Sequence, residues 1–182
     1  KHTHVIFHLT DDRDLLYNDT RKFGRMTLVP TGEEGTVAGL RTIGPEPVAE
    51  QLTLAYMTAT FGKSKKMIKP LLLDQSKIAG IGNIYADESL FRAGIRPDAQ
   101  LVSADRLERL HAALREVLLE SIDACGSSIR DYRTARGDAG AFQNAFRVYG
   151  RSGETCLECG TPLESCRIAG RATVFCPNCQ LA

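Results

Sequence analysis

Cys156-Leu-Glu-Cys159 and Cys176-Pro-Asn-Cys179 are two C-x-x-C pairs separated by 16 residues, all within the last 27 residues of a 182-residue chain. Thiolates at this spacing suit a tetrahedral zinc ion, because each pair can turn tightly and aim both sulfurs at one metal. Gly160, just after the first pair, supplies the backbone freedom such a turn needs. Four thiolates close the coordination shell, so the site reads as structural, with one Zn(2+) and no position left for water. The competing chemistry is two disulfides or a redox C-x-x-C. Two matched pairs and the lack of a signal-peptide pattern at the N-terminus favour zinc. Cys125 and Cys166 are left over. The first reads as a small core residue at the end of an amphipathic helix, the second as a bystander between the pairs.

A second candidate chemistry is anion binding. Lys63, Lys65, Lys66 and Lys69 form a run with no acid inside it. Such a run is often only a solvated face. It is followed by Gly80-Ile-Gly82-Asn83 ahead of an apolar-periodic stretch. Two glycine amides, the Asn83 side chain and a helix N-terminus could cradle a phosphate. A dinucleotide fingerprint is excluded by the missing third glycine, and a P-loop by the missing Gly-Lys-Ser/Thr. The overall charge of +1 gives no hint of a polyanionic partner. Divided by segment it does: residues 61–100 hold seven basic and four acidic residues, and residues 127–151 five and two. Residues 31–60 and 101–126 carry the acidic excess.

The elements that must position these residues follow from periodicity. Stretches 4–9, 15–17 and 26–29 read as strands, with a polar turn at Asp11–Asp14. His2, His4 and His8 alternate along the first, which alone suggests only a solvated or core face. Pro47 is placed to open a helix over 48–57. Ser103 is placed to cap a long helix with Leu107, Leu110, Leu114, Val117, Leu118 and Ile122 on one face, closed by Gly126. Residues 127–147 form a glycine-containing loop too long for a simple connector. No apolar run reaches the roughly 20 residues of a membrane span.

Several motifs together resemble one family. The run Leu72–Gln75, Gly80-Ile-Gly82-Asn83-Ile-Tyr85 through Pro97, Val148-Tyr149-Gly150-Arg151, and Gly170-Arg171-Ala-Thr-Val-Phe-Cys176 are similar to bacterial formamidopyrimidine-DNA glycosylases. So are Lys1–Val5 and Asp19–Gly24, and the resemblance runs in order along essentially the whole chain. It implies an α+β fold: β-strands of an N-terminal β-sandwich with a DNA-inserting loop (1–44), a helix-two-turn-helix domain with a lesion-capping loop (45–147), and a zinc-ribbon β-hairpin (148–182). The implied function is base-excision repair of 8-oxoguanine and formamidopyrimidines, with β,δ-elimination through a Schiff base. The partner would be duplex DNA containing an oxidised base or abasic site, bound by a cytoplasmic bacterial monomer with no membrane role.

By the same resemblance His2, Lys65, Lys69 and Asn83 contact DNA, Arg21 fills the space of the extruded base, and Phe23 wedges into the stack. Arg171 sits near the hairpin tip, where the family assigns it proton donation in δ-elimination; a permanently charged guanidinium is better suited to clamping phosphate. The loop from Arg130 to Phe146 would cap the lesion, and Glu88 would face the active site. The family's nucleophile is an N-terminal proline followed by glutamate, assisted by a first-domain lysine. The sequence starts instead at Lys1 on a strand, so a fragment that binds damaged DNA without excising is expected. The alternatives are an endonuclease VIII-type pyrimidine glycosylase fragment, a non-catalytic zinc-ribbon DNA-binding module, and a zinc-ribbon protein-interaction module.

Overall fold

Two short stretches with apolar and aromatic residues, joined by an acidic turn, pair as an antiparallel ribbon at the start of the chain. In the computed structural model, which describes residues 1–129 and 131–182, β1 is Thr3–His8 and β2 is Asp14–Asn18. The register runs from Thr3 opposite Asn18 to His8 opposite Asp14, with an irregularity between Thr3 and Val5. Asp12 takes a left-handed φ of 61° in the turn, and the Leu9 amide donates to the Arg13 carbonyl at 2.8 Å. The strand expected at 26–29 is not formed. A strand needs a ladder partner, and Met26–Val29 finds none among the described residues, leaving Leu28 fully exposed. Lys1–Arg41 is one compact unit.

The second unit, Thr42–Ala182, holds four α-helices and a second hairpin among the described residues. The helix expected from Pro47 begins later. Residues 46–52 make turns, and α1 is Leu54–Phe61, because Thr53 accepts the Tyr56 amide at 3.1 Å and so fixes the first turn. The short α2, Ile68–Leu72, has its first amides taken by the carbonyls of Ala99 and Pro97. Then come α3, Asn83–Arg92, and α4, Ala104–Asp123. Met57, Phe61, Leu72, Leu90, Leu110 and Leu114 belong to one buried cluster shared by all four helices. No helix among the described residues is long and apolar enough to cross a membrane.

The apolar stripe of α4 is buried as its period requires, except that Ile122 is 60% exposed. Ser103 does occupy the N-cap, but its hydroxyl donates to Asp105 rather than receiving a backbone amide. At the other end, Cys125 and Gly126 both turn left-handed (φ 56° and 83°). Their amides return to the carbonyls of Ile122 and Ser121, which is a Schellman closure. Cys125 is therefore an exposed turn residue and not the small core residue expected. The final hairpin pairs β3, Glu164–Ile168, with β4, Arg171–Phe175. A smaller apolar cluster of Phe91, Val148, Leu163 and Val174 joins it to α3.

Candidate nucleic-acid interface and zinc centre

The four cysteines that the spacing paired are brought together. The sulfurs of Cys156, Cys159, Cys176 and Cys179 lie within 4.8 Å of one another, with 3.9 Å from Cys156 to Cys179 and 3.5 Å from Cys159 to Cys176. A tetrahedron with Zn–S bonds of about 2.3 Å needs sulfurs about 3.8 Å apart, so the donor set fits. Thr161 holds the Cys159 thiol down to about 6, whereas burial and the neighbouring sulfurs push Cys179 up. Four thiolates repel one another unless a cation lies between them, and a bound metal reverses that penalty. The quartet is a structural zinc site. Cys166 lies on β3 outside it.

The zinc centre anchors the hairpin whose tip carries Arg171. Ala169 and Gly170 form a two-residue turn with φ of 48° and 74°, the paired positive values that match the twist of an antiparallel ribbon. Glycine takes the second of these without penalty. Arg171 follows, exposed at the start of β4.

Beyond Arg171, β4 is gripped by the helices. Lys69 and Asp87 form a salt bridge at 2.5 Å with both side chains buried. The Lys69 ammonium also donates to Thr173 Oγ1 at 2.7 Å and to the Ala172 carbonyl at 3.3 Å. Asn83 Nδ2 donates to the same carbonyl at 2.8 Å. Asn83 and Asp87 are four residues apart on α3, so one helix face presents both to the strand. Burial pushes the Asp87 carboxyl up to about 6 against the pull of Lys69, and burial lowers Lys69. The structure thus unites Lys69, Asn83 and the segment beside Arg171, but with a correction: Lys69 is fully buried and engaged by protein atoms, and offers no ammonium to solvent. Lys65, in the same run, is exposed.

Ahead of α3, Gln75 shapes the glycine turn: its Oε1 accepts the Gly80 amide at 2.8 Å and its Nε2 donates to the Ile81 carbonyl at 2.9 Å. Gly82 is the N-cap, and the amides of Asn83 and Ile84 have no protein acceptor among the described residues. A cavity of about 380 Å³ opens there, lined by Gly82, Asn83, Tyr85, Ser127, Tyr132 and Tyr149 among others. Asn83 Oδ1 and Ser127 Oγ are buried beside it without partners. An orphaned acceptor, an orphaned hydroxyl, open helix amides and tyrosine rings make a site for a flat polar ligand with an attached anion.

The long loop leaves α4 through a pinned neck. The Ala141 and Phe142 amides return to the carbonyls of Ala124 and Gly126, and the Gly140 amide donates to Ser128 Oγ at 2.9 Å. A Cβ on Gly140 would stand 2.2 Å from the Gly126 carbonyl oxygen, so the close approach requires glycine. Arg130, where the expected capping loop begins, lies outside the described residues.

Glu88, expected to face the active site, is turned to backbone amides and does not line the cavity at the start of α3. It is buried, and its carboxylate accepts the amides of Arg147, Val148 and Tyr149 at 2.9, 3.0 and 2.8 Å. It anchors the segment that leads into the zinc centre. Asp87, Thr173, Ser127 and Gln180 were absent from the residues expected to matter. A hint was the Asp87-Glu88 doublet between Ile84-Tyr85-Ala86 and Leu90-Phe91, since adjacent acids are buried only when partnered.

In the first unit, the Asp19 carboxylate accepts the amides of Arg21, Lys22 and Gly24 at 3.0, 2.8 and 2.7 Å. The Gly24 amide above all holds its carboxyl below the usual range. The loop so formed carries the Arg21 guanidinium 4.9 Å above the Phe23 ring, with Phe23 75% exposed. His2 lies beside it through its carbonyl, which accepts the Asp19 amide at 3.0 Å.

A glycine-turned helix pair and a four-cysteine finger whose hairpin docks on the second helix define a helix-two-turn-helix protein with a zinc finger. Comparison with known proteins agrees. Residues 43–133 match the formamidopyrimidine-DNA glycosylase H2TH domain, and residues 153–182 the zinc finger found in FPG and IleRS. The chain belongs to the formamidopyrimidine-DNA glycosylase family. It is 67% identical over 179 residues to the formamidopyrimidine-DNA glycosylase of Lactiplantibacillus plantarum, covering 97% of this chain and 65% of that protein. The Desulfitobacterium hafniense (strain DCB-2) protein of the same name is 49% identical, with 100% of this chain and 67% of that one covered. The crystal structure of the MutM (Fpg) protein from Thermus thermophilus superposes with a TM-score of 0.89 at 42% identity, covering 98% of this chain and 68% of that one. A complex of Lactococcus lactis Fpg with abasic-site DNA gives 0.90 at 40% identity, covering 100% and 67%. The chain thus spans 65% of the L. plantarum relative's length.

Proposed function

We propose that these residues form the DNA-gripping part of a base-excision repair enzyme that removes oxidised purines and nicks the abasic site by β,δ-elimination through a Schiff base. The observation that carries the reading is the convergence of Asn83, the open amides of α3 and Arg171's neighbour Ala172 beside a cavity with unpartnered polar atoms. Arg171 and the Asn83 end of α3 hold phosphates flanking an extruded nucleotide, and the cavity receives its base. Lys69 contributes from beneath, by holding the hairpin. Arg21 and Phe23 fill the gap left in the stack, because a wedge and a cation offset the few kcal/mol that unstacking costs. His2 and Lys65 add backbone contacts. The functional division is 1–44 for stack insertion, 45–147 for phosphate and base, and 148–182 for the zinc-anchored hairpin. The setting is the bacterial cytoplasm, and the chain acts as a monomer.

The Lactococcus lactis relatives were crystallised with DNA containing Fapy-dG or an abasic site, which supports the purine-directed reading. The chain spans 65% of the L. plantarum relative's length, so binding and excision are separable properties to test on these residues. The 182-residue polypeptide is therefore expected to bind a duplex containing tetrahydrofuran, an abasic analogue, more tightly than undamaged duplex. Affinity should fall steeply with salt, and borohydride should trap no adduct on oxidised-guanine duplex. Equal, salt-insensitive affinity for both duplexes would overturn the DNA reading. A trapped adduct would overturn the division between gripping and excision.

A further inference from the structure

The phosphate reading leaves unexplained why a buried carboxylate and a buried ammonium stand behind the hairpin. Asp87 Oδ1 meets Lys69 Nζ at 2.5 Å, Lys69 donates to Thr173 Oγ1 at 2.7 Å, and the Thr173 hydroxyl donates in turn to the Arg171 carbonyl at 3.2 Å. The chain of contacts ends on the backbone of the residue that the function needs placed. The first link is an ion pair, and the two that follow are hydrogen bonds with a defined direction. The ammonium can only donate, so the threonine oxygen accepts from it and keeps its own proton for the Arg171 carbonyl. Asp87 Oδ2 also lies 3.4 Å from the Val174 amide, so one carboxylate addresses both the relay and the strand. All three intermediate side chains are buried.

We propose that Asp87 and Thr173 are positioning residues for Arg171: through Lys69 they fix the backbone at the start of β4 and thereby the point from which the guanidinium reaches its phosphate. The inference rests on the DNA reading for its consequence, but the relay itself is a property of the free protein. Neither side chain is open to solvent. Removing the Asp87 charge leaves a buried ammonium without its counter-ion and frees Lys69 from the orientation that serves Thr173. Removing the Thr173 hydroxyl cuts the last link while keeping a β-branched strand residue.

The test uses the zinc-loaded 182-residue chain with Asp87→Asn, Thr173→Val, Arg171→Ala and the double variants with Arg171→Ala. Affinity for a tetrahydrofuran duplex is measured together with amide exchange in the free protein. Asp87→Asn is expected to weaken binding about tenfold and Thr173→Val about threefold, in the range of coupled neighbours. Neither should weaken binding further once Arg171 is alanine. Amides of residues 172–174 should exchange faster in both variants while those of Leu110 and Leu114 stay protected, which a general loss of stability would not produce. Effects that multiply with Arg171→Ala, or unchanged exchange at 172–174, overturn the proposal. If the unmodified chain does not bind the duplex, the functional reading falls and the exchange data still decide the relay. If Asp87→Asn fails to fold, Thr173→Val decides it alone.

Discussion

At the scale of single residues, the buried acids of α3 do different work although they are adjacent. Asp87 faces β4 and meets a cation; Glu88 faces the segment before the zinc finger and meets three backbone amides. A carboxylate that accepts several N–H bonds is held strongly, because charge-assisted bonds are about twice as strong as neutral ones. Glu88→Gln replaces one acceptor oxygen by an NH2 group aimed at amide donors. The expected cost is about 2–3 kcal/mol, read as a lower urea midpoint of the zinc-loaded protein with an unchanged slope. An unchanged midpoint would mean that the three amides find other acceptors. Tyr149 is both a Glu88 partner and a wall of the cavity at the start of α3, so this variant should also weaken binding of abasic duplex.

At the scale of elements, α3 and α4 are tied at their solvent edge by a forked pair. Arg92 meets both Glu120 oxygens, at 2.8 and 2.6 Å, with Glu116 at 3.2 Å. The Arg92 guanidinium holds the Glu120 carboxyl below its ordinary 4.5. A carboxyl whose folded pKa is depressed stabilises the fold above its unfolded value and ceases to do so as pH falls through the folded one. Glu120 is 44% exposed, so solvent screening keeps the contribution small. Glu120→Gln should lower the urea midpoint near neutral pH and converge with the parent protein in acid. Parallel curves across the whole range would remove the ion pair as the cause.

Elements also show where the sequence was legible. α4 could be read because 20 residues of helical period outweigh any single cap; the departures, the Ser103 hydroxyl, Ile122 and Cys125, all lie at its ends. α1 was misplaced because Pro47 and apolar spacing imitate a helix start, while Thr53 supplies the actual cap. The zinc ligands were legible from local spacing. Family resemblance gave Lys69 a phosphate, and nothing in its run marks it as buried; its partner Thr173 lies 104 residues away, a separation that no local pattern encodes.

At the scale of the second unit, the zinc finger is stitched to the helices by backbone as much as by side chains. Gln180 is buried, accepts the Cys176 amide at 2.8 Å and donates to the Ile95 carbonyl at 2.8 Å, linking a metal ligand directly to the turn after α3. Leu181 and Gly94, Arg96 and Leu181, and Arg106 and the Ala182 carbonyl add three more links. Apparent zinc-binding energies in finger peptides are about 10–16 kcal/mol, comparable to the roughly 5–15 kcal/mol that holds a whole domain together. Chelating the metal should therefore not leave intact helices beside a loose tail. We expect one cooperative transition at lower temperature, with helical ellipticity and abasic-DNA affinity lost together and both restored by added zinc. The Gln180→Ala variant separates the two events: with its bridge removed, chelation should melt the hairpin while α4 keeps more of its ellipticity. Identical melting of the helices in both proteins would show that the tail's backbone links alone transmit the loss of metal.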